Sequence, residues 1–438
     1  MPYVYQLKAN WVLDSRGLPT VACVLTLDHN GRKVTAKSSV PSGASTGSYE
    51  ALELRDGQKA FHGKGVDQAV ANINGLISER LNNQEFANAI ELDQFLLSLD
   101  TSANKSQLGA NAILAVSMAA HRAFASLTGL ELWQYLRRLY FSSLPATYKF
   151  PRLMCNVLNG GKHADNGISI QEFMIVPNHG NLLKDVQAAS EIYHSLKKLL
   201  QAHGKSTALG DEGGFAPDVN DSSGGSNGEN YFQTQVKLPT ERALDYLLEA
   251  IANSNYSTVD FQLALDAAAN EFFIPEKKAY LLDNQEFNQT TLTEFYAQLV
   301  EKYPLISVED GFSEDDILGW QILTEMLGQK IHLIGDDLFV TNPRRFEEVG
   351  LRNQIANGVL IKLNQIGSVS ETCTMINQAR ENQYITVVSH RSGETTDDFI
   401  ADLAFAAQSE FIKLGAPARG ERVAKYNRLI EIYHSLIN

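Results

Sequence analysis

The sequence predicts an α/β chain in which a smaller N-terminal α+β domain, at residues 1–140, precedes a (β/α)8-type barrel at residues 150–438. Two observations predict this fold. The beginning of the chain has the pattern of strands and helical patterns follow it, which is typical of a small α+β domain. Later, short apolar runs alternate with helical segments, and one run begins about every 25 residues, as one strand plus one helix requires.

The strands of the N-terminal domain are predicted from composition and from one turn. Thr20 to Leu27 is rich in Val, Leu and Thr, and Lys33 to Val40 has the pattern of a returning strand. Between them, Asn30-Gly31 is a strong signal for a two-residue hairpin turn. A helix follows at Gln107 to Leu127, before Gly129.

The barrel is predicted from a helix at about residues 181–203, closed by Gly204, and from the apolar runs after it. These runs are brief and continuously apolar, as expected of parallel strands buried on both faces. They are Leu263–Leu265, Leu305–Val308, Leu333–Ile334, Val359–Ile361, Ile385–Val388 and Phe411–Ile412. A doubly wound open sheet would give a similar rhythm, so spacing leaves that alternative open. The Gly/Ser-rich segment 221–237 interrupts the pattern and predicts a surface loop.

Composition narrows the class of function. The 438 residues include 51 acidic and 37 basic side chains, for a net charge of -14, which disfavours binding to nucleic acid. The net negative charge would repel an anionic substrate, so its binding site would need local cations or a metal ion. The three cysteines are far apart and predict no disulfide framework. With no signal-peptide pattern and no apolar stretch long enough to span a bilayer, we expect a cytoplasmic protein without a membrane span.

Each apolar run ends in an ionisable residue, where a barrel carries its catalytic groups. In chain order these are Asp266, Glu309, Asp336, Lys362, His390 and Lys413. Three carboxylates at one mouth would repel each other unless a cation lay between them, and a hard ion such as Mg²⁺ suits oxygen ligands. Any one of these acids is equally compatible with a helix cap or a surface charge. Their succession favours a metal site.

The cationic strand ends suit a substrate with two anionic ends. Arg391 followed by Ser392 can hold a phosphate through a fork of N–H donors and a hydroxyl group. Lys362, close to a metal ion and to other cations, should have a lowered pKa, which makes its amine a usable base. The alternative for Lys362 is a lysine that extends from the barrel rim into solvent.

Ten motifs, in order along nearly the whole chain, resemble those of the enolase family. They are Asp14–Gly17, Ser42–Gly47, Glu50–Gly57, Asn159–Ala164, Gln171–Met174, Gly210–Gly214, Ser307–Asp310, Gly335–Leu338, Lys362–Gly367 and Ser389–Thr395. The resemblance implies a barrel of the enolase kind and a magnesium-dependent lyase. Such an enzyme reversibly dehydrates 2-phosphoglycerate to phosphoenolpyruvate in glycolysis and gluconeogenesis.

The resemblance also implies the role of each site residue. Lys362 matches the base, Glu212 the acid and Glu172 its close partner, and a carboxylate pair of this kind titrates as a unit. Two Mg²⁺ ions are implied per active site. The second arrives with substrate at Ser45, and the first has the ligands Asp266, Glu309 and Asp336. The implied substrate-binding residues are His163, Gln171, Glu172, Glu309, Asp336, His390, Arg391, Ser392 and Lys413.

The family is usually a homodimer or a ring of dimers, and some members have an additional binding role. A C-terminal lysine by which some enolases bind plasminogen is not expected, because the sequence ends in Ile437-Asn438. Two departures from the family are the long segment 221–237 and Gly420, where Ser is more usual.

Two rival functions stay open at this stage. The first is a related superfamily enzyme that acts on a different carboxylic acid, against which the Arg391-Ser392 pair and the Glu212 motif count. The second is a binding protein on an inactive scaffold. Every catalytic position that matches the family is intact, which argues against lost activity.

Overall fold

The computed structural model describes residues 1–43, 47–219 and 237–437. Ser45 and residues 221–236 of the predicted loop lie outside the described residues. At Gly420, an added Cβ would meet no atom within 4 Å, so the serine more usual in the family would also fit there.

The N-terminal part contains the predicted hairpin within a three-stranded antiparallel sheet. Its strands are β1 (Tyr3–Leu13), β2 (Pro19–His29) and β3 (Arg32–Ser39), in the order β1-β2-β3. Asn30 and Gly31 have φ angles of 55° and 84°, the left-handed conformation that a two-residue hairpin turn of this kind requires. The turn prediction is therefore confirmed.

Helices cover one face of this sheet. They are α1 (Asp67–Asn72), α2 (Ser78–Leu81), α3 (Ala89–Ser98), α4 (Ala110–Leu127) and α5 (Leu132–Tyr140). Helix α4 corresponds to the predicted segment and packs on β2 and β3. Its many alanines let it lie buried along nearly its whole length.

The second part of the chain forms a closed barrel, which excludes the doubly wound alternative. Its strands are β4 (Arg152–Asn159), β5 (Glu172–Pro177), β6 (Phe261–Asp266), β10 (Leu305–Glu309), β11 (His332–Gly335), β12 (Gly358–Ile361), β13 (Ile385–Ser389) and β14 (Phe411–Lys413). All six predicted apolar runs lie in these strands. A small antiparallel sheet follows β6, formed by β7 (Phe273–Ile274), β8 (Ala279–Leu282) and β9 (Gln285–Phe287).

The six strands that contain the predicted apolar runs pair with one another in parallel, as expected. Strand β5, for which no apolar run was predicted, is antiparallel to both of its neighbours in the barrel. The connection from β4 to β5 contains a single turn, Gly161–His163, and no crossover helix, so the chain returns in the opposite direction. As a result, Glu172 at the start of β5 pairs with Asp266 at the end of β6.

Helices of the second part surround the barrel. They are α6 (Leu182–Ala202), α7 (Pro239–Asn253), α8 (Gln289–Lys302), α9 (Ile317–Leu327), α10 (Pro343–Arg345), α11 (Leu363–Ile366), α12 (Val369–Glu381), α13 (Phe399–Ala407) and α14 (Gly420–Ile437). Apolar side chains such as Met154, Ile334 and Phe411 fill the barrel interior. A ligand can therefore bind only at the mouth of the barrel.

In the described part of the chain, no single helix is long and apolar enough to cross a membrane. Helices α4 and α5 meet that criterion only as a pair, with a 100° bend between them.

Candidate active site

The ionisable residues at the strand ends converge on one small cavity at the barrel mouth. It is lined by His163, Gln171, Glu172, Glu212, Asp266, Lys362, Ser389, His390, Arg391, Ser392 and Lys413. The two other described residues predicted for the site, Glu309 and Asp336, contact this lining through Lys413 and Lys362. The structure thus brings together every predicted site residue that it describes.

Lys413 is the centre of a buried cluster of charges. Its Nζ lies 2.9 Å from Oδ2 of Asp266, 3.0 Å from both carboxylate oxygens of Glu309 and 3.1 Å from Oε2 of Glu172. Burial lowers the pKa of Lys413, but these carboxylates outweigh burial and raise the pKa well above its usual value. The side chain is therefore a fixed positive charge.

Lys362 lies against Asp336 on the other side of the mouth, where its Nζ donates a hydrogen bond to Oδ2. Gln365 donates to the other oxygen of Asp336 at 2.8 Å. Burial lowers the pKa of Lys362, but Asp336 outweighs burial and the net shift is upward. The contact with Asp336 thus outweighs the nearby cations Arg391 and Lys413. The expectation of a lowered pKa applies to a lysine beside a bound metal ion and stays a prediction.

The residues present fit a hard divalent cation. Asp266, Glu309 and Asp336 supply only carboxylate oxygens, which such cations prefer. Burial, followed by repulsion from Asp266, raises the pKa of Glu309 well above its usual value despite Lys413, so negative charge at the mouth is not fully balanced. The buried Oε1 of Gln171 has no hydrogen-bond partner among the described residues, and this side chain lines the same cavity.

A second acidic group lies directly behind these residues. Oxygen atoms of Asp310, Asp336 and Asp337 lie within 4.8 Å of one another. Asp310 accepts the backbone N–H groups of Asp336 and Asp337 at 2.9 and 2.8 Å, which fixes the end of β11. Burial, followed by repulsion from Asp336, raises the pKa of Asp337 to about 7. Asp310 and Asp337 lie within two of the sequence motifs but were given no role there; the doubled acids at both strand ends were the available signal.

Glu172 and Glu212 form the predicted carboxylate pair, and ligand atoms of the two, together with one of His163, lie within 4.8 Å of one another. Burial, followed by repulsion from Glu212, raises the pKa of Glu172 well above its usual value. Burial alone would raise the pKa of Glu212, but contacts with His390 and His163 hold it well below its usual value. The pair therefore holds its proton first on Glu172.

Glu212 is held in place by a tightly packed loop and by a residue that sequence analysis missed. An added Cβ on Gly214 would meet Oδ1 of Asn159 at 2.4 Å, so only glycine allows this close approach. Nδ2 of Asn156 donates to Oε2 of Glu212 at 3.1 Å. A polar side chain inside the apolar strand β4 was the signal that could have identified Asn156.

Arg391, the predicted phosphate contact, is buried and receives a carboxylate from the N-terminal part of the chain. Its two terminal nitrogens lie 3.1 Å from the two carboxylate oxygens of Glu50, and Nη1 lies 3.2 Å from Oδ1 of Asn364. These contacts orient the guanidinium group at the edge of the cavity. Glu50 lies within the sequence motif Glu50–Gly57, but nothing in that motif indicated its contact with Arg391.

Two family models match the chain, "Enolase, N-terminal domain" over residues 4–136 and "Enolase, C-terminal TIM barrel domain" over residues 147–438. The chain belongs to the enolase family. A protein named Enolase from Elusimicrobium minutum is 46% identical over 437 residues, covering 100% of this chain and 97% of the relative. Another protein named Enolase, from a Nitratiruptor species, is 47% identical over 439 residues, covering 100% of this chain and 98% of the relative.

Membership of the enolase family confirms the resemblance seen in the sequence motifs and the fold class predicted from the apolar runs. The chain is therefore an enzyme of the phosphopyruvate hydratase class. Enolases are in general metal-dependent, and the acidic groups at the mouth could bind a metal ion.

Proposed function

We propose that this enolase catalyses the reversible dehydration of 2-phosphoglycerate to phosphoenolpyruvate, with Lys362 as the base and Glu212 as the acid. One observation carries the proposal. Lys362 and Glu212 line the same small cavity, together with the cations Arg391 and Lys413. A base and an acid can therefore act on the same bound substrate. The carboxylate and the phosphate of that substrate would each contact a different cation.

The first step in this proposal removes the proton next to the substrate carboxylate. Lys413, a fixed positive charge, attracts that carboxylate, and the amine of Lys362 accepts the proton. Asp266, Glu309 and Asp336 would hold the first Mg²⁺. A bound Mg²⁺ would stabilise the charge that develops on the substrate carboxylate and would compete with Lys362 for Asp336, which favours the neutral amine. Ser45, outside the described residues, is proposed for a second Mg²⁺ that arrives with substrate.

The second step expels the hydroxyl group as water after Glu212 donates a proton to it. Glu172 and Glu212 are near enough to exchange this proton, and burial and then Glu212 raise the pKa of Glu172, which favours a proton within the pair. In the reverse direction the same carboxylate acts as the base towards water.

The remaining residues bind and orient the substrate. Arg391 and Ser392 are proposed to hold the phosphate, while His163, Gln171 and His390 enclose the reacting carbon atoms. A role in glycolysis and gluconeogenesis, a cytoplasmic location and assembly as a homodimer or ring of dimers belong to the same proposal. They rest on family membership.

The test is the rise in ultraviolet absorbance when purified protein meets 2-phosphoglycerate. We expect a rise with Mg²⁺ and none after EDTA, with recovery when Mg²⁺ is added again. No rise in folded, metal-loaded protein would overturn the proposal in favour of a non-catalytic scaffold. A rise with another 2-hydroxy or 3-hydroxy carboxylate alone would favour the related superfamily enzyme.

A further inference from the structure

Arg422, near the start of α14, is a fully buried side chain outside every motif that identified the site. Its terminal nitrogens make four hydrogen bonds. Nη1 contacts Nδ1 of His390 and the carbonyl oxygen of Arg391, each at 2.5 Å. Nη2 donates to the carbonyl oxygens of Ser392 at 2.5 Å and Asp211 at 3.2 Å. Because each terminal nitrogen carries two hydrogens, the four acceptors use all four N–H groups.

This contact decides which nitrogen of His390 carries the proton. A guanidinium group has only donors, so a nitrogen that lies against its N–H must accept the hydrogen bond. Nδ1 of His390 is therefore unprotonated, and the ring proton lies on Nε2. A doubly protonated ring would place two donors against each other in a site that is 1% exposed.

The Nε2–H group then faces the carboxylate of Glu212. Oε2 of Glu212 lies 3.2 Å from Nε2 of His390, and the same oxygen accepts a hydrogen bond from Asn156 at 3.1 Å. Nε2 of His390 approaches Oε2 as an ion-pair contact without full hydrogen-bond geometry, while Asn156 donates to the same oxygen. A proton on this carboxyl group is therefore favoured on Oε1. The orientation of the acid thus depends on Arg422 through His390.

We infer that Arg422 is a positioning residue, which fixes the Nε2–H tautomer of His390 and thereby directs the transferable proton of Glu212 to Oε1. Arg422 also ties the Glu212 loop, through the Asp211 carbonyl, to the Arg391-Ser392 loop. This inference rests on the proposed role of Glu212 as the acid, but the tautomer itself exists in the resting protein and can be measured without turnover.

The decisive measurement is the long-range ¹H–¹⁵N correlation spectrum of full-length protein labelled with ¹⁵N in its histidine rings. The signal of His390 is identified by its loss in His390→Gln. We expect a neutral ring with the proton on Nε2 at neutral pH. A ring with its proton on Nδ1, or a charged ring, overturns the inference even if the enzyme is fully active. An inactive protein with the expected tautomer would instead count against the proposed function alone.

Arg422→Lys tests the dependence on the guanidinium fork, because an ammonium group keeps the charge but lacks the two-nitrogen geometry. We expect the His390 ring to lose its single tautomer. We also expect kcat to fall more than KM changes, by less than the about 10²–10⁴-fold that a general acid contributes. An unchanged tautomer in folded Arg422→Lys contradicts the inference.

Arg419→Lys is the matched control. Arg419 precedes α14 and donates to the carbonyl oxygen of Gly210 at 3.2 Å, next to the same loop, but its hydrogen bonds within the described residues do not include His390. We expect the His390 tautomer to be unchanged in this variant. The charged groups that face the ring, Glu212, Arg422 and Lys413, all remain. A similar loss of the tautomer in both variants would indicate general loosening of the loop and overturn the specific role of Arg422.

Discussion

The carboxylate of Glu50 holds both terminal nitrogens of Arg391 at 3.1 Å, so a residue of the N-terminal part orients a buried arginine at the barrel mouth. Neighbouring residues reinforce the contact. The backbone N–H of Gly47 donates to Glu50, and the hydroxyl of Ser48 donates to Glu314 at 2.6 Å. The N-terminal part and the barrel are therefore joined through the residue proposed to bind phosphate.

Glu50→Gln should lower the free energy of unfolding. Removal of one partner leaves the charge of Arg391 buried without its carboxylate, which typically costs about 3–5 kcal/mol. Denaturant unfolding measures the effect. Glu431→Gln is the control, since Glu431 is 66% exposed beside Arg428 and its loss should cost about 0–1 kcal/mol. Equal small losses would mean that the Glu50 contact contributes little.

Lys362→Ala should abolish both dehydration and exchange of the substrate proton with solvent, because the proposed base is removed. We expect turnover to fall by at least about 10²-fold. Exchange of the proton in heavy water, followed by NMR, separates this step from dehydration. The exposed Lys330→Ala is the control and should keep both activities. Surviving exchange in Lys362→Ala would place the base elsewhere.

Glu212→Gln should impair dehydration more than proton exchange, because the amide cannot donate the proton that assists loss of the hydroxyl group. Rates of both processes, measured in the same samples, give the comparison. Equal loss of both would remove the case for Glu212 as a separate acid. The reverse hydration of phosphoenolpyruvate should be impaired as well, since the same carboxylate serves both directions.

Asp336→Asn should weaken Mg²⁺ binding, because an amide oxygen replaces one carboxylate ligand and one negative charge is lost. Calorimetric titration with Mg²⁺ measures the affinity directly. Asp315→Asn is the matched control, since Asp315 is 68% exposed beside Arg345. An unchanged titration for Asp336→Asn contradicts its assignment as a ligand.

Stability should fall as pH is lowered from about 6.5 towards 3, in part because of His390. Burial lowers the pKa of this ring from 6.5 to about 3 in the folded protein. Between these values the unfolded chain binds a proton that the native ring does not, so this contribution is complete above pH 6.5 and is lost on acidification. Unfolding free energies of wild type and His390→Asn across this range should differ in slope by about 1.4 kcal/mol per pH unit. Parallel slopes would contradict the neutral buried ring.

The sequence was sufficient to locate the site where geometry follows directly from the fold. The carboxyl ends of parallel barrel strands meet at one mouth, so Asp266, Glu309 and Lys413 had to converge once the strands were recognised. In the sequence, each of these charged residues directly follows an apolar run and so marks the end of a strand. The same reasoning applied to Lys362 and His390.

Direct contacts between distant segments could not be predicted in the same way. The upward pKa shift of Lys362 depends mainly on its contact with Asp336, and strand order does not specify such a contact. Arg422 reaches His390 from the last helix of the barrel part, and its side-chain geometry follows no local sequence pattern. The reversed direction of β5 depends on the short connection from β4, and the sequence of that connection does not indicate the direction of the next strand.

The barrel closes where its first strand, β4, pairs with its last strand, β14, and this closure has a consequence for synthesis of the chain. Strand β4 pairs locally with β5, through Asn159 and Glu172, but its other edge pairs with β14, through Arg152 and Phe411. The entropy lost on joining segments grows with their separation, so this closure comes late. A nascent polypeptide that has not yet emerged from the ribosome as far as Lys413 has β4 and β13 with unpaired edges. Such edges pair readily with other chains, so escape from aggregation during translation depends on the last short strand.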